Sequence, residues 1–272
     1  MNTPVGLNFL IAGYAFSSGE VVTDPALPLT DARFDVHGGV LAYVRSLNVW
    51  GNSGKFDVAI PYLSASGTAL FRGEPVARDV SGFGDPRLRL SVNFYGAPAL
   101  SMEEFASYQQ DLIVGFSLGV SLPLGQYDSD KLVNIGTNRW SIKPELGLSK
   151  RLGPVSLELA AGVTLFTRND DFLGQPRDQA PLFSVQGNAV YDIGRGVWGA
   201  VTVTYLDGGR TTVGGVERDD RRENVRVGGT VTLPVTPHQS VKLFGSTGVL
   251  TRRGGDFNAV GVAWQYRWGA GL

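Results

Sequence analysis

Val155-Ser156-Leu157-Glu158-Leu159-Ala160-Ala161-Gly162-Val163-Thr164-Leu165 decides the fold class. Every odd position is apolar, and the even positions read Ser156, Glu158, Ala160, Gly162 and Thr164. A period of two is that of a β-strand, whose side chains alternate between faces; a helix would need 3.6. The pattern returns upstream, where Leu112, Val114, Phe116, Leu118, Val120 and Leu122 alternate with Asp111, Gly115, Ser117, Gly119 and Ser121. It returns again over Val225–Leu233 and at the end of the chain, where Val260, Val262, Trp264, Tyr266 and Trp268 oppose Gly261, Ala263, Gln265 and Arg267.

Composition agrees with strands. The 272 residues include 37 glycines and only 18% charged side chains, against usual shares of about 7% glycine and 25% charge. Each interior glycine costs a helix about 1 kcal/mol relative to alanine, so a helical bundle is excluded. A net charge of -1 offers no basic field for nucleic acid. With no cysteine there is no disulfide framework, thiolate catalysis or zinc-thiolate site.

Read throughout, alternation predicts twelve strands in one all-β domain over residues 1–272: 5–16, 33–47, 55–66, 85–96, 108–122, 140–151, 155–167, 181–192, 196–206, 224–235, 239–251 and 257–268. One helical turn is predicted where Ser101 and Glu104 form a capping box before Phe105. Long polar connections, at 17–32, 67–84, 125–139, 168–180 and 207–223, alternate with short turns at 49–54, 152–154, 193–195 and 236–238. The stretch 97–107 and the tight turn 252–256 are exceptions to that alternation. A soluble sandwich also has strands with one apolar face, but it has no reason for this asymmetry. A bacterial outer-membrane barrel has short periplasmic turns and long outer loops. Trp50, Trp140, Trp264, Tyr266 and Trp268 near strand ends fit interfacial girdles, and in lipid only closure satisfies every backbone group. The expectation is therefore a twelve-stranded antiparallel transmembrane barrel, in contact with outer-membrane lipid and lipopolysaccharide. The uncharged start of the chain, with Val5 to Phe16 mostly apolar, lacks a basic n-region, so an exported chain is read as the mature part behind a new initiator Met.

The closing segment Val260-Gly261-Val262-Ala263-Trp264-Gln265-Tyr266-Arg267-Trp268, the strand-turn-strand run Trp140 to Thr167 and the twelve-strand layout resemble an outer-membrane channel family named for the meta (MetA) pathway of phenol degradation. The resemblance implies a Gram-negative barrel passing small hydrophobic or aromatic compounds inward. The family name records gene neighbourhood and names no substrate. Gly269-Ala270-Gly271-Leu272 departs from the terminal Phe usual in outer-membrane proteins.

If the apolar phase faces lipid, the other phase lines the lumen. That reading turns Arg45, Asp57, Arg87, Arg89, Asp111 and Lys143 inward, together with Glu145, Glu158, Arg168, Arg226, Lys242 and Arg267, eight cationic against four acidic groups, with His37 among them. Arg or Lys at the lipid midplane would cost about 2–4 kcal/mol. The charges either pair across strands and stiffen the barrel or form a ladder for a permeating anion or head group. The same phase is read to hold Leu10, Tyr14, Leu41, Tyr43 and Ile113, then Phe166, Trp198, Leu206, Phe244 and Phe257, a greasy path for aromatic solutes or a plug. Twelve strands lie between the filled barrel of eight and the open one of sixteen. A narrow passive channel without cofactor or metal is the expectation; the alternatives are an outer-membrane lipid hydrolase and a sealed structural barrel.

Catalysis would need a serine in reach of a histidine that a third group orients. His238-Gln239-Ser240 lies at a short turn beside Pro237 with no acidic neighbour in sequence, and His37 with Asp35 and Asp57 forms no recognisable set. Asp170-Asp171 and Asp219-Asp220 read as solvated or lipopolysaccharide-facing loop charge, without the spacing of a calcium loop.

Overall fold

The computed structural model describes residues 2–20, 29–71, 73–252 and 256–272. In chain order the strands are β1 (Leu7–Gly19), β2 (Leu29–Val49), β3 (Asn52–Phe71), β4 (Glu74–Phe83), β5 (Arg87–Tyr95), β6 (Leu112–Ser121), β7 (Ser141–Leu152), β8 (Val155–Phe166), β9 (Asn169–Phe172), β10 (Gln175–Gln179), β11 (Leu182–Gly194), β12 (Val197–Gly208), β13 (Thr211–Val213), β14 (Val216–Glu217), β15 (Arg222–Pro234), β16 (Gln239–Thr251) and β17 (Phe257–Gly269). One helix, α1 (Met102–Ser107), lies between β5 and β6.

Thirteen strands share one antiparallel sheet, and twelve of them close on themselves: β1 pairs with both β17 and β2, β2 with β3, and β3 with β5. The thirteenth, β4, continues the line of β5 above the barrel wall. β3 carries both, Gly54–Ala59 against β5 and Tyr62–Phe71 against β4, with the register changing across Gly84-Asp85-Pro86. Closure leaves no free sheet edge in the lipid zone. Among the described residues no helix is long and apolar enough to cross a membrane; strands do the crossing.

The twelve expected strands match the barrel strands to within a few residues at most ends. The long loop expected at 67–84 is instead hydrogen-bonded strand, the β3–β4 hairpin projecting outward. The expected connection 17–32 and turn 252–256 lie partly outside the described residues, at 21–28 and 253–255. Short turns have the geometry that tight hairpins demand: Trp50 and Gly51 both take positive φ, at 52° and 83°, the signature of a two-residue type I′ turn. The predicted helix start is present, with Ser101 Oγ accepting from the Glu104 N–H at 3.2 Å and Glu104 Oε2 from the Ser101 N–H at 2.8 Å.

By the loop-length rule the short turns and both ends of the chain mark the periplasmic side. There residues 2–6 cross the inner side of β2 and β3: Ser46 Oγ, wholly buried, donates to Pro4 O at 2.6 Å and accepts from the Leu7 N–H at 2.9 Å. At the outer side β9, β10, β13 and β14 form a second small sheet. Phe172 and Val213 from that sheet, with Val133 from the β6–β7 loop, pack on Ala32, Phe34, Ala65 and Ala69 of β2 and β3. The loop is tied down by Asp85, whose carboxylate accepts from Gly125 N, Thr137 N and Thr137 Oγ1 at 2.9, 2.9 and 2.6 Å. Asp220, expected in a solvated loop, is instead 2% exposed and accepts from Thr211 N and Oγ1; its neighbour Asp219 stays exposed, 3.4 Å from Arg252.

Candidate functional site: the barrel lumen

Register assigns the two faces. Lys55 and Asp57 of β3 share a face with Ser91 and Arg89 of β5, then with Ser117 and Gly119 of β6, Glu145 and Lys143 of β7, and Gly162 of β8. Glu158, on that face of β8, lines one cavity together with Lys55, Arg89 and Glu145, so this face is the inner one. The opposite face carries the exposed aliphatic side chains, among them Leu90, Leu118, Leu146, Leu159, Val185, Val201 and Leu243. An apolar exterior around a closed barrel places the protein in the outer membrane. Trp264, Tyr266 and Trp268 stack along this exterior at 6.2 and 5.7 Å near the periplasmic rim, as interfacial aromatics do.

The inner wall has two unlike parts. On β1, β2 and the middle of β3 it is apolar: Phe9, Ile11 and Ala15, then Val36, Val40, Ala42 and Val44, then Ala59, Pro61 and Leu63. From β5 round to β11 it is polar: Arg87, Arg89, Asn93, Lys143, Glu145, Glu158, Asn188 and Gln186, with Lys55 and Asp57 of β3 at its edge. Arg89 Nε donates to Asp57 at 2.7 Å and Lys143 Nζ lies 2.6 Å from Glu145. Glu158 accepts from Asn188 Nδ2 at 3.3 Å. Lys55, Arg89, Glu145, Glu158 and Asn188 line a cavity of about 340 Å³. The remaining wall, β12 to β17, adds Arg226, over the Phe257 ring at 3.7 Å, Lys242, 5.4 Å from the Trp198 ring, and Arg267.

Of the residues read as lumen-facing, register turns Asp57, Arg87, Arg89, Lys143, Glu145, Glu158, Arg226, Lys242 and Arg267 inward, with Ile113, Phe166, Trp198, Leu206, Phe244 and Phe257. Six take the other face. Leu10, Tyr14, His37, Leu41, Tyr43 and Arg45 share register with Tyr266, Val262, Ser64, Ile60, Val58 and Phe56 and so point outward. Both faces of β1 and β2 are apolar, so alternation carries no contrast there, and Arg45 and His37 pull the reading to the wrong phase. Outside, Tyr14 Oη bonds His37 Nδ1 at 2.7 Å and Tyr43 Oη donates to Asn8 at 2.7 Å; Arg45 stays exposed near that rim, where its stem can snorkel.

Two further residues leave the wall at its ends. Arg168 lies beyond β8 and holds Asp178 through two bonds of 2.9 Å, and that carboxylate raises its already high pKa. Asp111 precedes β6 at the periplasmic rim, where its bond to the Lys150 ammonium holds its carboxyl below the usual carboxylate range. Lys55 is an inward charge outside the set read from the sequence, although it stands two residues from Asp57 and therefore in the same phase.

The catalytic alternatives find no geometry among the described residues. His238 Nδ1 lies 3.2 Å from Arg267 O, and no hydrogen bond joins it to Ser240. His37 and Asp57 occupy opposite faces of the wall. No group of three His, Asp or Glu side chains among the described residues is placed to hold a metal ion.

The fold is similar to solved outer-membrane barrels. An outer membrane channel from Pseudomonas putida F1 superposes with a TM-score of 0.80 at 18% identity, over 98% of this chain and 97% of that one. The β domain of the Bordetella autotransporter BrkA gives 0.53 at 12% identity over 97% and 100%. The NanC porin gives 0.54 at 10% over 94% and 98%. No curated protein matches the chain by sequence. Residues 15–264 match the family model described as "Putative MetA-pathway of phenol degradation". The chain, an outer-membrane β-barrel of twelve closed strands, belongs to that family.

Proposed function

We propose that this barrel, acting as one domain over residues 1–272, is a passive channel admitting small hydrophobic or amphipathic compounds, aromatic ones included. The observation that carries the reading is the two-sided lumen. A water-filled porin has no use for an inner wall of Phe9, Ile11, Val36, Val40 and Val44, and a sealed barrel has no use for a cavity bordered by Lys55, Arg89 and Glu158. A solute with an apolar flank and a polar head can keep each against a matching surface along the way. The family description, with its reference to phenol degradation, favours aromatic cargo. Outer-membrane lipid and lipopolysaccharide are the surroundings that the apolar exterior and its girdle suit.

Proteoliposomes carrying the refolded protein test this. They should take up benzyl alcohol and benzoate down their gradients faster than empty vesicles. His238→Ala and Ser240→Ala should leave the barrel permeable to both solutes and the vesicle lipids intact. Lipid hydrolysis abolished by either variant would replace the channel reading with a hydrolase.

A further inference from the structure

At the periplasmic end, β12, β15, β16 and β17 turn Trp198, Thr232, Lys242 and Arg267 toward a cavity of about 320 Å³. The first three stand side by side in register, Trp198 opposite Thr232 and Thr232 opposite Lys242. Lys242 Nζ lies 5.4 Å from the Trp198 ring, and Arg267 Nε donates to Pro237 O at 2.9 Å. Neither cation forms an ion pair among the described residues. The neighbouring carboxylate, Asp192 opposite Trp198, is engaged by Arg151 at 3.1 Å. Thr232 is 7% exposed, and its Oγ1 has no hydrogen-bond partner among the described residues.

An unpaired buried hydroxyl is unfavourable by itself, and the exposed Lys242 and half-buried Arg267 near it bring positive charge that attracts an anion. One small anion in this cavity would satisfy all three, and among the described residues no carboxylate borders the cavity to repel it. The Trp198 indole, Ile11 and Pro234 supply its apolar surface, among polar side chains such as His238, Ser240 and Gln265. We propose that this vestibule is a binding site for a small aromatic carboxylate, whose head group bonds Lys242, Arg267 and the Thr232 hydroxyl while its ring lies against Trp198. As the last station before the periplasm, the site rests on the channel reading; as a binding site it does not.

Calorimetric titration of benzoate into the folded protein in detergent tests it without any flux. Benzoate should bind saturably at one site. Lys242→Gln should weaken it by about tenfold, the loss of one charge-assisted bond. Thr232→Val, which keeps shape and charge, should weaken it by about threefold. Heat-modifiable migration on gels checks that each variant is folded, and the isosteric Thr232→Val keeps the test open should Lys242→Gln misfold. Benzyl alcohol should bind far more weakly, with no response to Lys242→Gln. Equal binding of benzoate and benzyl alcohol, or benzoate binding unchanged in both variants, would overturn the site. Displacement of benzoate by an equal concentration of inorganic phosphate would overturn its aromatic preference. Binding without flux would end the channel reading and leave the site standing, whereas flux without binding would do the reverse.

Discussion

The lumen wall of β1–β3 and that of β5–β11 are built from the same backbone and differ in what their inner phase carries. On β5–β8 and β11 the inner phase is mostly small, polar or charged, and the residues between are mostly apolar. On β1 and β2 both phases are apolar, Phe9, Ile11 and Val40 inside against Leu10, Leu41 and Tyr43 outside. The difference teaches that a transmembrane strand is constrained on its lipid face alone, while its inner face is free to follow what passes. In this chain the free face is greasy on one side and charged on the other.

Four variants probe that contrast and one change of pH probes the chain outside it, beginning with the largest effect. Leu41→Arg puts a cation on the lipid face of β2 and should cost about 2–4 kcal/mol in urea unfolding from lipid. Ala42→Arg, one residue on and turned inward, should cost about 1 kcal/mol or less. The reverse order would mean that the phase of β2 is the opposite one.

Replacing Arg87 and Arg89 together with Gln should lower the anion-to-cation permeability ratio by roughly threefold, the size of a partly screened charge contact, as read from reversal potentials in a salt gradient. Unaltered selectivity would show that these arginines only brace the wall. On the apolar side, Val40→Thr should leave ion selectivity untouched and weaken block by benzyl alcohol by about twofold, a fraction of the value of one buried methyl group. A change in ion selectivity instead would erase the distinction between the two walls.

The smallest effect lies outside both walls. The Ser101 backbone N–H holds the Glu104 carboxyl below the usual carboxylate range. A depressed carboxylate contributes stability above its unfolded pKa and loses it as pH falls through the folded one. The protection factors of the α1 amides, which remove the intrinsic pH dependence of exchange, should therefore fall below about pH 4, with conductance unchanged. Protection that is lower at neutral pH than at pH 4 would contradict the sign.

Where alternation had contrast, the sequence was enough. Leu157, Leu159 and Leu165 against Ser156, Glu158 and Gly162 specify both strand and facing, and Ser101 with Glu104 specifies the helix start. The outer cap was not legible in this way. Asn169–Phe172 and Gln175–Gln179 are four and five residues long with charge on either phase, so their pairing follows from packing Phe172 and Val213 onto β2 and β3 and not from a period. Thr232 was equally silent, because an unsatisfied hydroxyl is a fact of three-dimensional neighbours. Lys55 was legible and overlooked.

Single-channel recording of the refolded protein in a planar bilayer, with benzoate and benzyl alcohol added in turn, tests the two-sided lumen most directly. Small, steady openings that both solutes interrupt are expected, benzoate acting more strongly from the periplasmic side. A barrel that is folded and heat-modifiable yet silent at every voltage would contradict that expectation.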